Sequence, residues 1–197
     1  MRTWNETIEA MTNTEQTSGL DMMQHGLSVA SKYLDLLHHL RGKPLKGEWR
    51  LPEWMIQHSQ LILENQIPIS DAMDYLIYHD IGKPFCLNID EEGKRHFPNH
   101  AKVSEEIASQ HERTAHVSKI IGMDMDIHTL KSDGVEEFSK RPEAMTLILA
   151  AFAEIHSNAA MFGGIESTSF KIKYKHLDKR GRQVIEQILS RKQNQTI

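Results

Sequence analysis

Apolar residues recur at helical spacing along most of this chain. Leu20, Met23, Leu27, Ala30, Leu34 and Leu37 follow a three-four rhythm, and Met22, Val29, Tyr33, Leu36 and Leu40 make a second stripe on the same segment. A helix apolar on two sides is a buried helix, so the first long element belongs at the centre. Gly42, Pro44, Gly47 and Pro52 then punctuate "GKPLKGEWRLPEW". The pattern predicts a helix from about Glu53 to Asn65. Another is opened by Ser70 as N-cap, with Asp71 in its first turn, and stops at His79-Asp80 because Gly82 and Pro84 follow.

Residues 86 to 98 read as a polar loop. Asn99 caps a helix to about His111, and a further helix is predicted over Thr114 to His128. A short one near Val135 to Lys140 leads to a nearly all-apolar helix from Glu143 to about Ala160, the second buried element. "FKIKYKHL" is compatible with extended or helical backbone, and Gln183 to Lys192 closes the chain. Strand signals are sparse and no internal repeat is visible. The predicted fold is all-α, a single-domain helical bundle.

A chain of 197 residues, 39% of them hydrophobic and 25% charged, suffices for one core. The longest near-apolar run, Leu147 to Ala153, falls far short of the roughly 20 residues that span a bilayer. The first residues, "MRTWNETIEAMTNTEQ", lack the apolar stretch and cleavage signal of a secretory leader. The single cysteine, Cys86, excludes an intrachain disulfide and suits a reducing compartment. A cytoplasmic protein with no membrane contact is the expectation. The net charge of −4 is unevenly spread. Lys171 to Lys192 holds eight Lys/Arg against two acids, so this segment carries +6 and the remainder −10. Such a segment is either a solvated face or a rim that attracts phosphates, nucleic acid included.

The candidate chemistry lies on the apolar faces. "DYLIYHDIGKPF" ends a buried helix on an imidazole beside a carboxylate, which is costly unless both are paired or bound. His25 shares a face with Met22 and Val29, and His100 with Val103 and Ile107. Val117, Ile121, Asp124 and His128 fall on one predicted helical face, and His156 follows Leu149, Phe152 and Ala153. Imidazoles and carboxylates converging inside a helical core can bind a divalent metal. Mixed nitrogen and oxygen ligands favour manganese, iron, cobalt, nickel or zinc over calcium.

"QHGLSVA" at 24–30, "YHDIGKP" at 78–84 and "NHAKVSEEIA" at 99–108 resemble the successive motifs of the HD-domain metal-dependent phosphohydrolase superfamily. The similarity covers roughly residues 20 to 160, with "HDIGKP" as its specific element. It implies a helical HD-type core over 20–165, preceded by an N-terminal segment, 1–19, and followed by a basic segment, 166–197, packing on that core. It implies one or two metals bound in the core, with His25 as first ligand and His79 with Asp80 as the central pair. Lys83 stands where many members keep a lysine near the phosphate, and His100 resembles the extra histidine that protonates a leaving oxygen or binds a second metal. The segment "IIGMDMDIH" offers Asp124 and His128 toward such a second metal. The superfamily's late aspartate is replaced in "AEIHSNA", where His156 is preferred over Glu154 as the last ligand.

The function these residues imply is hydrolysis of a phosphomonoester or phosphodiester by a metal-activated water, with Asp80, Lys83 and His100 as the catalytic set. The expected substrate is a small phosphorylated molecule, a nucleotide or a relative of one. The alternatives are a phosphoesterase acting on nucleic-acid ends through the basic C-terminal segment, and a catalytically silent metal-binding module that acts as a sensor or partner.

Overall fold

The computed structural model describes residues 2–17, 19–111 and 113–194. Helices dominate, as the apolar spacing predicts. The chain divides into two compact units, each assembled from two separated stretches. One comprises the residues up to Ala30 together with Pro68–Met125, and the other Ser31–Ile67 together with the residues from Asp126 onward.

The first unit opens with a helix, Trp4–Thr12, in the segment 1–19 to which the sequence assigned no element. Its start is a capping box: Glu6 N–H donates to the Thr3 hydroxyl at 3.3 Å, and Thr3 N–H to the Glu6 carboxylate at 2.7 Å. An antiparallel hairpin, Glu15–Thr17 with Leu20–Asp21, leads into the helix Met22–Leu40. The helix Ile69–Tyr78 starts after Pro68, and no side chain caps it; Ser70 instead donates to Asp71, so the predicted Ser70 cap is not used. A short turn of helix, Lys83–Cys86, packs on His100–Gln110, which packs on Ala115–Gly122.

The stretch read as loop contains a second hairpin, Asn88–Ile89 with Arg95–His96. The turn between them is built by Asp90, whose carboxylate accepts from Glu92 N–H and Lys94 N–H, and by Gly93 at φ 78°. Local side-chain bonding of this kind leaves no apolar alternation to detect. Asn99 adopts φ 54° and offers no side-chain cap, although the helix does begin after it. The core of this unit joins Met11, Met22 and Ile81 to Trp4, Tyr78, Phe97 and Ile107.

The second unit is organised around Ala144–Ser157, twelve of whose fourteen residues are buried. A 27-residue helix, Thr168–Asn194, packs on it and on Val135–Ser139. The ambiguous "FKIKYKHL" is therefore helical and continuous with the closing helix. The backbone at Gly181 passes so close to Trp54 that a Cβ would lie 2.5 Å from the indole ring. The Trp54 N–H donates to Asp178 at 2.9 Å. The helix predicted over Glu53 to Asn65 is broken at His58 into Glu53–Gln57 and Ser59–Glu64. Among the described residues no helix is long and apolar enough to cross a membrane.

Candidate metal centre

Three of the predicted ligands meet in the first unit. Ligand atoms of His25, His79 and Asp80 all lie within 4.8 Å of one another, and the residues are 0%, 2% and 1% exposed. Sequence and backbone geometry explain the approach. A Cβ on Gly26 would sit 2.2 Å from the Ile77 carbonyl oxygen, so only glycine lets these two helices come this close. The residue before Gly26 is His25, and the residues after Ile77 lead directly to His79.

His79 is the C-cap of Ile69–Tyr78. Its Nδ1 is 2.8 Å from the Leu76 carbonyl oxygen, which can only accept, so Nδ1 carries a proton, and Nε2 holds the lone pair whenever the ring is neutral. That Nε2 lies 3.3 Å from Asp80 Oδ2, and His25 Nε2 lies 3.6 Å from the same oxygen. After Asp80 the chain is pinned by Gly82. Its N–H donates to Ser104 Oγ at 2.9 Å, and a Cβ there would lie 2.5 Å from the Ser104 nitrogen. Ser104 belongs to the helix that begins with His100. That imidazole donates from Nδ1 to the Phe97 carbonyl at 3.2 Å and turns Nε2 toward Asp80 Oδ1, 3.9 Å away.

Lys83 completes the set. Its Nζ is 2.7 Å from Asp80 Oδ2 and donates to Gln16 Oε1 at 3.1 Å, with the Phe97 ring 5.4 Å away. Burial by itself would raise the pKa of the Asp80 carboxyl. The positive charge available on His79, Lys83 and His25 outweighs it and holds the carboxyl well below the ordinary range. Neither Asp80 oxygen receives an aligned hydrogen bond, although four nitrogens approach them. A buried carboxylate in this state, beside two imidazoles, could hold a metal ion. Cys86 donates its thiol to the Lys83 carbonyl, and its pKa is raised by burial, as befits a packing residue.

The other predicted ligands lie outside this group. Asp124 shares the unit, and its Oδ1 accepts the Tyr75 hydroxyl at 2.8 Å. The Tyr75 ring lies edge-on to His79, 6.4 Å between centroids. The face proposed for Asp124 and His128 does not form, because the helix ends at Gly122 and a separate one spans Asp126–Thr129. His128 belongs to the second unit and is 3.1 Å from Glu154.

His156 requires a correction. In the second unit its Nδ1–H donates to the Phe152 carbonyl at 2.7 Å, and its Nε2 accepts the Arg50 N–H at 3.0 Å. The lone pair a metal would need is thus already taken. Desolvation, helped by the nearby Lys32 charge, pushes its pKa down to about 4, and the ring packs between Trp49 and Phe170. A histidine that only ties helices together and one that binds a metal sit on the same kind of apolar helical face, which is why spacing could not tell them apart. The contact of Gln16 with Lys83 was hidden for the opposite reason: Gln16 lies in a short polar hairpin with no periodic signal.

Compared with protein families, curated proteins and solved structures, the chain matches none.

Proposed function

We propose that this protein is a metal-dependent phosphohydrolase that resembles the HD-domain superfamily and acts on a phosphoester of a nucleotide or nucleotide-like molecule. The observation that carries the reading is the buried His25–His79–Asp80 cluster with Lys83 and His100 directed at the same carboxylate. When bound, a divalent transition metal supplies Lewis acidity toward water and a phosphoryl oxygen.

The chain's own residues divide the remaining work. The Leu76 carbonyl fixes the His79 tautomer, so a lone pair is presented without rearrangement. Lys83 brings a point charge that opposes phosphate charge, and a lysine beside a carboxylate can swing from one anion to another. The proton on His100 Nδ1 is held by Phe97, which leaves Nε2 to give or take a proton at a leaving oxygen. The deep burial of the three ligand residues excludes bulk water and strengthens each of these charges.

A second reading has its own support. Thr168–Asn194 is one continuous helix, so the exposed Lys171, Lys175, Lys179 and Arg182 share one face, and a nucleic-acid end is then a candidate substrate. The deciding experiment assays nucleotides and phosphate-ended oligonucleotides with each of manganese, iron, cobalt, nickel and zinc, alongside elemental analysis. Metal uptake with no turnover of any phosphoester would reduce the protein to a metal-binding module. No uptake would end the reading.

A further inference from the structure

His25, His79 and Asp80 are almost wholly enclosed, whereas the Lys83 and His100 side chains keep 10% and 17% of their surface exposed. These two side chains are the parts of the group that reach solvent. A third side chain reaches the same place. Gln16, on the first strand of the N-terminal hairpin, accepts from Lys83 Nζ across 67 positions of sequence. An ammonium only donates, so the amide oxygen of Gln16 must face Lys83 and its NH2 must face away. Among the described residues no acceptor takes a hydrogen bond from that NH2. The hairpin itself is held in place by Arg95, which donates to the Glu15 carbonyl at 2.8 Å and lies 3.7 Å from its carboxylate.

We propose that Gln16 is a further binding residue for the substrate, donating its amide N–H to a phosphoryl oxygen that Lys83 also contacts. The inference rests on the phosphohydrolase reading and adds the residue that meets the anion on the hairpin side. A lysine ammonium and an amide NH2 on the same approach suit an oxyanion, since phosphate oxygens are acceptors throughout. Gln16 also holds Lys83 from outside, so that arrival of the anion exchanges one acceptor for another without leaving the buried ammonium unpaired.

The test is calorimetric titration of the purified protein with inorganic phosphate, in wild type, Gln16→Ala and Gln16→Glu. Loss of one hydrogen bond to a charged group should weaken phosphate binding about tenfold in Gln16→Ala. Gln16→Glu keeps the shape, but its carboxylate pairs with Lys83 and repels the anion, so the loss should exceed about thirtyfold. Metal content and melting temperature should stay at wild-type values in Gln16→Glu. Unchanged phosphate affinity in both variants would overturn the proposal, as would wild-type protein that binds no phosphate. Loss of metal together with phosphate binding in both variants would assign Gln16 a structural role and overturn it equally. The phosphohydrolase reading fails separately, through wild-type protein that binds phosphate but hydrolyses no phosphoester.

Discussion

Each unit buries a histidine near the end of an apolar helix, and the two are anchored alike. His79 donates from Nδ1 to the carbonyl three residues back, and His156 to the carbonyl four residues back. The difference lies at the other nitrogen. His156 Nε2 accepts a backbone N–H, so the ring closes a hydrogen-bond account between its own helix and Arg50. His79 Nε2 faces Asp80, where His25 and Lys83 also converge. A histidine satisfied twice by backbone is scaffold. A histidine anchored by backbone at one nitrogen and turned at the other toward a buried carboxylate has the makings of a site.

The strongest challenge to that contrast is Asp80→Asn. The substitution keeps the volume but removes the charge that two imidazoles and Lys83 surround. Metal content should fall below about a tenth of the wild-type value, with hydrolysis lost in parallel, because a neutral amide oxygen binds a divalent cation far more weakly than a carboxylate and offsets none of its charge. Stripping the wild type with a chelator should likewise lower its melting temperature by about 5–10 °C if the metal is held at a hundred times its dissociation constant. Full metal content in Asp80→Asn would mean that the centre is elsewhere.

Glycines sharpen the comparison. Gly26→Ala would place a methyl 2.2 Å from a backbone oxygen, which cannot move without parting two helices. It should cost about 3 kcal/mol in denaturant unfolding and displace His25, so that metal affinity falls as well. Gly181→Ala in the second unit meets only the edge of the Trp54 ring. It should destabilise by a similar or smaller amount while metal content stays at one wild-type equivalent. Metal loss in Gly181→Ala with the fold intact would erase the division of roles.

The sequence disclosed most helices because burial on one side imposes a period on apolar residues, and it disclosed Ala144–Ser157 because a helix buried all round reads as a nearly unbroken apolar run. It disclosed His25, His79 and Asp80 because an HD pair next to "IGKP" is polar chemistry where only apolar residues are otherwise stable. What it concealed depends on tertiary partners. Nothing local distinguishes His156 from a ligand, since the Arg50 N–H that occupies its ring lies 106 positions away. The Asp124–His128 face failed because a helix was extended past Gly122, where the chain turns. Both hairpins are too short for alternation to register.

A smaller effect comes from pH. His156 in the folded protein titrates near about 4, below the usual imidazole value, because charging it would bury a cation. Between those two pH values the unfolded chain binds the extra proton, so stability is complete above about pH 6.5 and declines as pH falls toward 4. The loss amounts to about 3 kcal/mol. His156→Gln should be less stable than wild type at pH 7, through two weakened hydrogen bonds, and should show a flatter stability profile across pH 4–6.5. Denaturant unfolding at several pH values reads both, and metal content should not change. A His156→Gln protein that folds but carries no metal would place this residue back among the ligands.

The smallest expected effect tests whether the second unit is scaffold alone. Lys175 and Lys179 are exposed on the same face of Thr168–Asn194 as Lys171 and Arg182, whose charges are met by Glu166 and Asp178. Two partly neutralised and two open cations make a modest stripe against the −10 of the rest of the chain. Replacing Lys171, Lys175 and Lys179 by Gln should leave mononucleotide turnover unchanged, because a short ligand does not span the stripe. Single-stranded oligonucleotide binding releases counterions with a slope of about −0.7 per phosphate contact, so losing three contacts should flatten the salt dependence by about 2. If the wild type shows a flat salt response, the helix is a solvated face and the substrate is a small molecule. A steep response that the triple substitution removes would give the second unit a binding role of its own.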